Sequence, residues 1–427
     1  METAKPPRTF WQKLKQHPLL CHGAGLITGA ADDDPSGIGT YSQAGAKYGL
    51  DMLWALPLAF PLVAAMQSMC ARIGRVTGKG LAANIRAEFP SWVLQGVVAL
   101  LLVANTLNIG ADVAAMGEVA GLVTGLNRHL MTVILAAVTL VLQLLVPYHR
   151  YVRFLKWLTL SLLAYVAVLF FVHVPWEQVA LRTLLPRLKF DSGAAAVVVG
   201  IFGTTISPYL FFWQTSEEVE DMLAPPRAKA LLRVPGSAPR ELSRIRWDTW
   251  SGMFYSDVTA YVIVLATAVT LHASGIRDID TAAQAANALQ PIAGTYAYLL
   301  FATGILGTGL LGVPVLAASG AYAFCETVGW KWGLEHKPTQ ARGFYGVIAV
   351  SVLLGLLIQF TPIPPMKALF WAAVINGVVA VPLMVVVILL ASRKSVMGKF
   401  TVAPWVRTIG WIAAAVMALA AVVMFMS

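Results

Sequence analysis

The sequence predicts an all-α, polytopic membrane protein of about eleven transmembrane helices, two sets of five and one extra. Three observations carry this. The 427 residues are 58% hydrophobic and only 12% Asp, Glu, Lys or Arg, against about 25% charged in soluble domains. Mean hydropathy is +0.71, and apolar stretches of about 20 residues or more, long enough to cross a bilayer, recur along the whole chain. The first stretch of each five-helix set is interrupted by proline and polar residues. This composition excludes a disordered protein, a nucleic-acid module and a water-soluble enzyme of ordinary make-up.

Hydropathy places the spans at 20–45, 52–76, 93–124, 130–147, 154–174, 192–221, 249–272, 290–326, 342–360, 367–391 and 405–426. The net charge is +10, and the basic surplus collects in alternate connections. Lys5, Arg8, Lys13 and Lys15 precede the first span. Arg72, Arg75, Lys79 and Arg86 follow the second, and His149, Arg150, Arg153 and Lys156 the fourth. Arg227 to Arg246, Lys331 to Arg342 and Arg393 to Lys399 continue the pattern. Basic loops stay in the cytoplasm. The N-terminus is therefore expected inside and the C-terminus outside an inner or plasma membrane. No cleavable signal is read at the N-terminus. Cys21, Cys70 and Cys325 match no metal or redox spacing. The chain divides into a cytoplasmic tail (1–18), a first inverted repeat (19–175), a second (190–392) with the loop 223–247, and an extra span (404–427). Pro225, Pro226 and the basic residues give that loop the character of a mobile surface linker.

Two spans are abnormal. The first carries Asp32-Asp33-Asp34-Pro35-Ser36-Gly37 and the sixth Gly203-Thr204-Thr205-Ile206-Ser207-Pro208. Proline removes a backbone donor and breaks a helix. In lipid, freed backbone groups are tolerated only where protein or a water-filled cavity satisfies them. Broken helices at corresponding positions in two halves point to a transporter built of inverted repeats. Gly307-Thr308-Gly309-Leu310-Leu311-Gly312 fits a dinucleotide pattern but lies in an apolar span and follows no strand, so it is set aside. Neither HExxH nor GxSxG occurs, and an enzyme is not expected.

The flanks of the first break are specific. Asp34-Pro35-Ser36-Gly37 is followed by Gln43-Ala44-Gly45-Ala46-Lys47-Tyr48-Gly49, and the second span ends Ala71-Arg72-Ile73-Gly74-Arg75-Val76-Thr77-Gly78. This resembles the Nramp family of divalent-metal transporters across spans one to ten. The resemblance implies a LeuT-type (APC superfamily) fold, helices one and six unwound at mid-membrane, and an ion site between them. The departures are informative. Gly37 stands where the family has Asn, Ser207 where it has Met, Tyr209 where it has His, and Gly312-Val313-Pro314 in place of its span-eight pattern. Together they resemble the Nramp-related magnesium transporter branch.

Asp34 is the expected ion ligand, since a carboxylate at mid-bilayer is costly unless it is paired or hydrated. Asp33 and Asp32 either face the cavity or cap a half-helix. Thr204 and Ser207 offer oxygen in place of thioether sulfur, which favours hard cations. Gly37 and Ser207 are small, so a roomy site is expected. Asp257 in span seven and Asn376 in span ten are further polar groups within reach of it. The resemblance implies a proton route through span three and the residue after the span-six proline. Asp112, Glu118 and Tyr209 are what remains of it. Glu217, Glu218, Glu220 and Asp221 read as a solvated helix end. The expected function is uptake of hard divalent cations, Mg²⁺ and also Mn²⁺, by alternating access with weak or no proton coupling. The alternatives are a proton-coupled Mn²⁺/Fe²⁺ symporter and a carrier of a cationic organic solute. The expected partners are the transported ion and the lipid bilayer, with no cofactor, nucleic acid or obligate protein.

Overall fold

Proline and aspartate set the first long helix. Asp34 is the N-cap of α1 (Pro35–Tyr48) and accepts the Gly37 backbone N–H at 2.8 Å, while Pro35 occupies the position where its missing N–H costs nothing. Residues 28–29 and 31–32 are helical before it, so the chain unwinds only at Asp33 and Asp34. The computed structural model describes residues 28–29, 31–146, 161–187, 192–223 and 228–426. The N-terminal tail with Cys21, the basic residues 149–156 and the Pro225-Pro226 pair lie outside these.

The remaining helices follow in order. They are α2 (Ala55–Thr77), α3 (Leu81–Glu88), α4 (Ser91–Thr124), α5 (Arg128–Leu145), α6 (Leu163–Phe171), α7 (Trp176–Leu184) and α8 (Ser192–Thr205). Then come α9 (Pro208–Leu223), α10 (Ala238–Thr267), α11 (Ala297–Val328), α12 (Arg342–Gly355), α13 (Pro365–Ser392) and α14 (Pro404–Met426). Among the described residues nine helices are long and apolar enough to span a membrane, with α8 and α9 counted as one broken span. The other two expected spans, 20–45 and 154–174, are described only in part, as α1 and α6.

The second break sits at Ile206 and Ser207. There the Ser207 hydroxyl donates to the carbonyls of Gly203 (2.8 Å) and Thr204 (2.6 Å). These are carbonyls that the end of α8 would otherwise leave without a helical partner. The broken span is central: 94% of its apolar window is buried, against 28% for α5 and α14, which face lipid. Close crossing explains part of this. A Cβ on Gly203 would stand 2.1 Å from the Ala373 carbonyl oxygen, so only glycine lets α8 touch α13 backbone to backbone.

Two expectations are corrected. α10 begins at Ala238, eleven residues before the expected 249, and the segment before it is docked. Leu231 and Leu232 donate their backbone N–H groups to the carbonyls of Arg75 and Val76, both at 3.2 Å. Glu217, Glu218 and Glu220 are buried instead of solvated. Glu220 accepts from the Tyr322 hydroxyl at 2.6 Å and the Leu334 N–H at 2.7 Å. The Arg244 guanidinium contacts Glu218 at 2.6 Å. Glu218 and Glu220 are tolerated in a buried helix because each has a donor.

Candidate metal site

Asp34 lies where both unwound segments meet. Its Oδ1 accepts from the Ser36 hydroxyl at 2.7 Å and from the Gly37 N–H. Its Oδ2 accepts from Asn108 Nδ2 of α4 at 3.1 Å and from the Tyr209 hydroxyl of α9 at 3.5 Å. Tyr209 also donates to the Ala31 carbonyl at 3.1 Å. Every one of these donors is neutral, and Asp34 is 1% exposed. Such a carboxylate carries charge in the low-dielectric interior that only a bound cation or a proton can offset.

Asn108 ties the site together. Its Nδ2 also donates to Asp112 Oδ2 at 3.0 Å, and its Oδ1 accepts from Asn376 Nδ2 of α13 at 2.9 Å. Among the described residues Asp112 Oδ1 and Asn376 Oδ1 have no partner. Asp34, Asp112, Asn376 and Tyr209 thus form one polar group around Asn108, with two free oxygens. Asp33 turns the other way. Its Oδ1 and Asp32 Oδ2 both face the Ser256 hydroxyl of α10, at 3.1 and 2.7 Å. Asp257 is the next residue on α10, nearly buried, with Oδ1 unpartnered.

Gly37 and Thr204 are in contact distance of one another. A Cβ on Gly37 would stand 3.1 Å from Thr204 Oγ1 and 3.3 Å from the Tyr41 ring. The space that Gly37 releases is therefore taken up by Thr204 and Tyr41, and the expectation of a roomy site is corrected. Ser207 faces its own helix end through its hydroxyl hydrogen, which leaves its oxygen lone pairs as the only ligand it offers. Glu118 stands apart: its Oε1 accepts the Ala282 N–H at 2.9 Å, capping the short helix Ala282–Ala286. No bond links it to Asp112. Among the described residues no three His, Cys, Asp or Glu side chains stand in metal-ligand geometry. The groups gathered here are one or two carboxylates with carbonyl, amide and hydroxyl oxygens.

Asn108 and Ser256 carry no sequence signal of their own, because a neutral polar residue in an apolar helix serves equally as packing glue. The spacing of Asn108 four residues before Asp112, on one helix face, is the only hint. Gly312 is the one residue of the span-eight pattern that this chain keeps, and it has a physical reason, whereas nothing in the structure explains Val313 to Leu316. A Cβ on Gly312 would stand 2.9 Å from Asp34 Cβ, so α11 packs directly against Asp34. Gly312→Ala should leave the protein folded but raise the KM for the ion about tenfold by displacing Asp34. An unchanged KM in liposome influx would show that Asp34 tolerates the shift.

The comparisons agree with this architecture. The family model described as natural resistance-associated macrophage protein-like, Nramp, matches residues 25–427. The divalent metal cation transporter MntH of Acidiphilium cryptum (strain JF-5) is 26% identical over 403 residues, 91% of this chain and 86% of that protein. The protein of the same description from Klebsiella pneumoniae (strain 342) is 23% identical over 413 residues, 93% and 92% of the two chains. In three dimensions the chain is similar to the crystal structure of the Eremococcus coleocola manganese transporter in complex with an aromatic bis-isothiourea substituted compound. The TM-score is 0.74 at 16% identity, over 98% of this chain and 87% of that one. It is also similar to Mhp1, a nucleobase-cation-symport-1 family transporter in a closed conformation, with TM-score 0.54 at 15% identity over 94% and 91%. Those likenesses establish the LeuT-type fold with its two broken helices. The match over nearly the whole sequence establishes the rest: this chain is a member of the Nramp family.

Proposed function

We propose that the chain carries hard divalent cations, Mg²⁺ foremost and Mn²⁺ as well, inward across the membrane by alternating access with little or no proton coupling. The observation that carries this reading is Asp34, buried between two unwound helices and bonded only by neutral donors. The relatives' description as divalent metal cation transporters supports the substrate class. An all-oxygen surround supports hard ions, since sulfur is what selects softer metals. Glu118 is engaged in capping a helix, and the Tyr209 hydroxyl hydrogen is taken up by the Ala31 carbonyl and Asp34. Both features argue against a relay of protons. The orientation with the N-terminus in the cytoplasm belongs to the same proposal. One observation favours proton coupling with Mn²⁺ or Fe²⁺ instead: Asp112 reaches Asp34 through the single side chain of Asn108.

The test is influx into proteoliposomes holding the purified protein, with ion reporters and a lumenal pH dye read together. Mg²⁺ entry without acidification is expected; Mn²⁺ entry with acidification and no Mg²⁺ entry would overturn the reading. Ion preference has its own check. Ser207→Met should shift the Cd²⁺-to-Mg²⁺ flux ratio upward by about tenfold, because a thioether is a soft ligand. An unmoved ratio would mean that residue 207 does not face the ion.

A further inference from the structure

The three successive aspartates divide between two environments. Asp34 turns toward α4 and α9, whereas Asp32 and Asp33 turn toward α10 and share the Ser256 hydroxyl at 2.7 and 3.1 Å. One hydroxyl hydrogen serves one acceptor well at a time. Among the described residues Asp32 Oδ1 and Asp33 Oδ2 have no partner, and both residues are 1% exposed. A second, independent group points at the same place. The Tyr41 hydroxyl is completely buried and unpartnered among the described residues, and the Tyr41 ring and the Asp32 carbonyl flank the same face of Gly37, 3.3 and 3.4 Å from where its Cβ would stand. Among the described residues no Lys, Arg or His forms an ion pair with Asp32 or Asp33.

Two buried carboxylates without a cation are costly, and their donors here are hydroxyls only. We propose that Asp32 and Asp33, with the hydroxyls of Ser256 and Tyr41, form a second cation site beside the Asp34 site, one that takes a hard divalent ion. The all-oxygen set fits such an ion, and two carboxylates balance its charge. Its occupant would bind the unwound segment of the first span to α10. The choice of a divalent ion rests on the cation-carrier reading above.

The test counts ions. Purified full-length protein in lipid nanodiscs is dialysed against Mn²⁺, and bound metal is measured. Two ions per chain are expected in the wild type, and one each in Asp34→Ala and Asp32→Asn. Ser256→Ala, which deletes one hydroxyl and should fold as the wild type does, is expected to weaken one of the two bindings by about tenfold. One ion in the wild type and none in Asp34→Ala would overturn the second site and leave the Asp34 reading intact. One ion in both, lost in Asp32→Asn, would uphold the second site and remove Asp34 as ligand. Unchanged binding of two ions in Asp32→Asn and Ser256→Ala would also overturn it.

Discussion

Asp34→Asn is expected to lower divalent-cation influx by about a hundredfold, equivalent to roughly 3 kcal/mol, while leaving the helical fold in place. The substitution keeps the size of the side chain and one acceptor oxygen. The Gly37 N–H and the Ser36 hydroxyl, which Asp34 Oδ1 accepts at 2.8 and 2.7 Å, can still be received. An Asn caps a helix as well as an Asp does, so the start of α1 should survive. What is lost is the formal charge that makes the site attractive to a cation, together with the acceptor that Asn108 Nδ2 meets at 3.1 Å. An amide nitrogen placed there would oppose a donor with a donor. Influx in liposomes at matched protein density checks this, with thermal melting as the control for folding. Influx within threefold of wild type, from protein that melts normally, would mean that the charge at the junction of the two breaks is not what binds the ion.

Much of this was legible in the sequence for physical reasons. Helices that cross a bilayer are predominantly apolar over about 20 residues, so α4, α11 and α13 announce themselves. Prolines at 35 and 208 mark the breaks because a missing N–H cannot be hidden in hydrocarbon. Asp34 stands out for the same reason that it is expensive. Neutral groups do not stand out. Asn108 joins Asp34, Asp112 and Asn376, yet two of these partners lie 74 and 268 residues away, and its spacing to Asp112 is the only local mark it carries. Nor can sequence tell which way a carboxylate turns from an unwound segment, and the division of Asp32 and Asp33 from Asp34 follows only from where α10 packs. Hydropathy misled at the start of α10, since it treats each charge as a solvent-seeking group. Arg240, Glu241, Arg244 and Arg246 read as loop, but two of the four are engaged in ion pairs with other helices.

Those pairs lead to the second large effect. Arg244→Ala is expected to destabilise the protein by roughly 3 kcal/mol, because it leaves the carboxylate of Glu218 buried without a counter-charge. The Glu218 side chain is 0% exposed, and Arg244 Nη2 is 2.6 Å from it. Arg244 Nε also contacts Glu241 at 3.2 Å, and Glu241 in turn meets Arg75 of α2 at 2.9 Å. Four charges thereby clamp α2, α9 and α10 at the end of the molecule away from the end of α1. The sign of each change distinguishes a clamp from a decorative pair. Glu218→Gln should cost less than Arg244→Ala, since it removes the buried charge and leaves the partly exposed arginine free to reach water. Adding Glu218→Gln to Arg244→Ala should recover at least half of the lost stability, because an uncharged amide at 218 needs no cation. Melting of the three variants in detergent, followed by fluorescence-detected size exclusion, reads this directly. If Arg244→Ala melts with the wild type, Glu218 has another compensating partner. If the double variant is worse than either single one, the cost comes from lost packing and hydrogen bonds and not from buried charge. Because α9 is one half of the broken helix that frames Asp34, the same network fixes the position of Tyr209 one end of that helix away. A loosened clamp should therefore also lower the apparent affinity for the ion, whereas a purely peripheral pair would change stability alone.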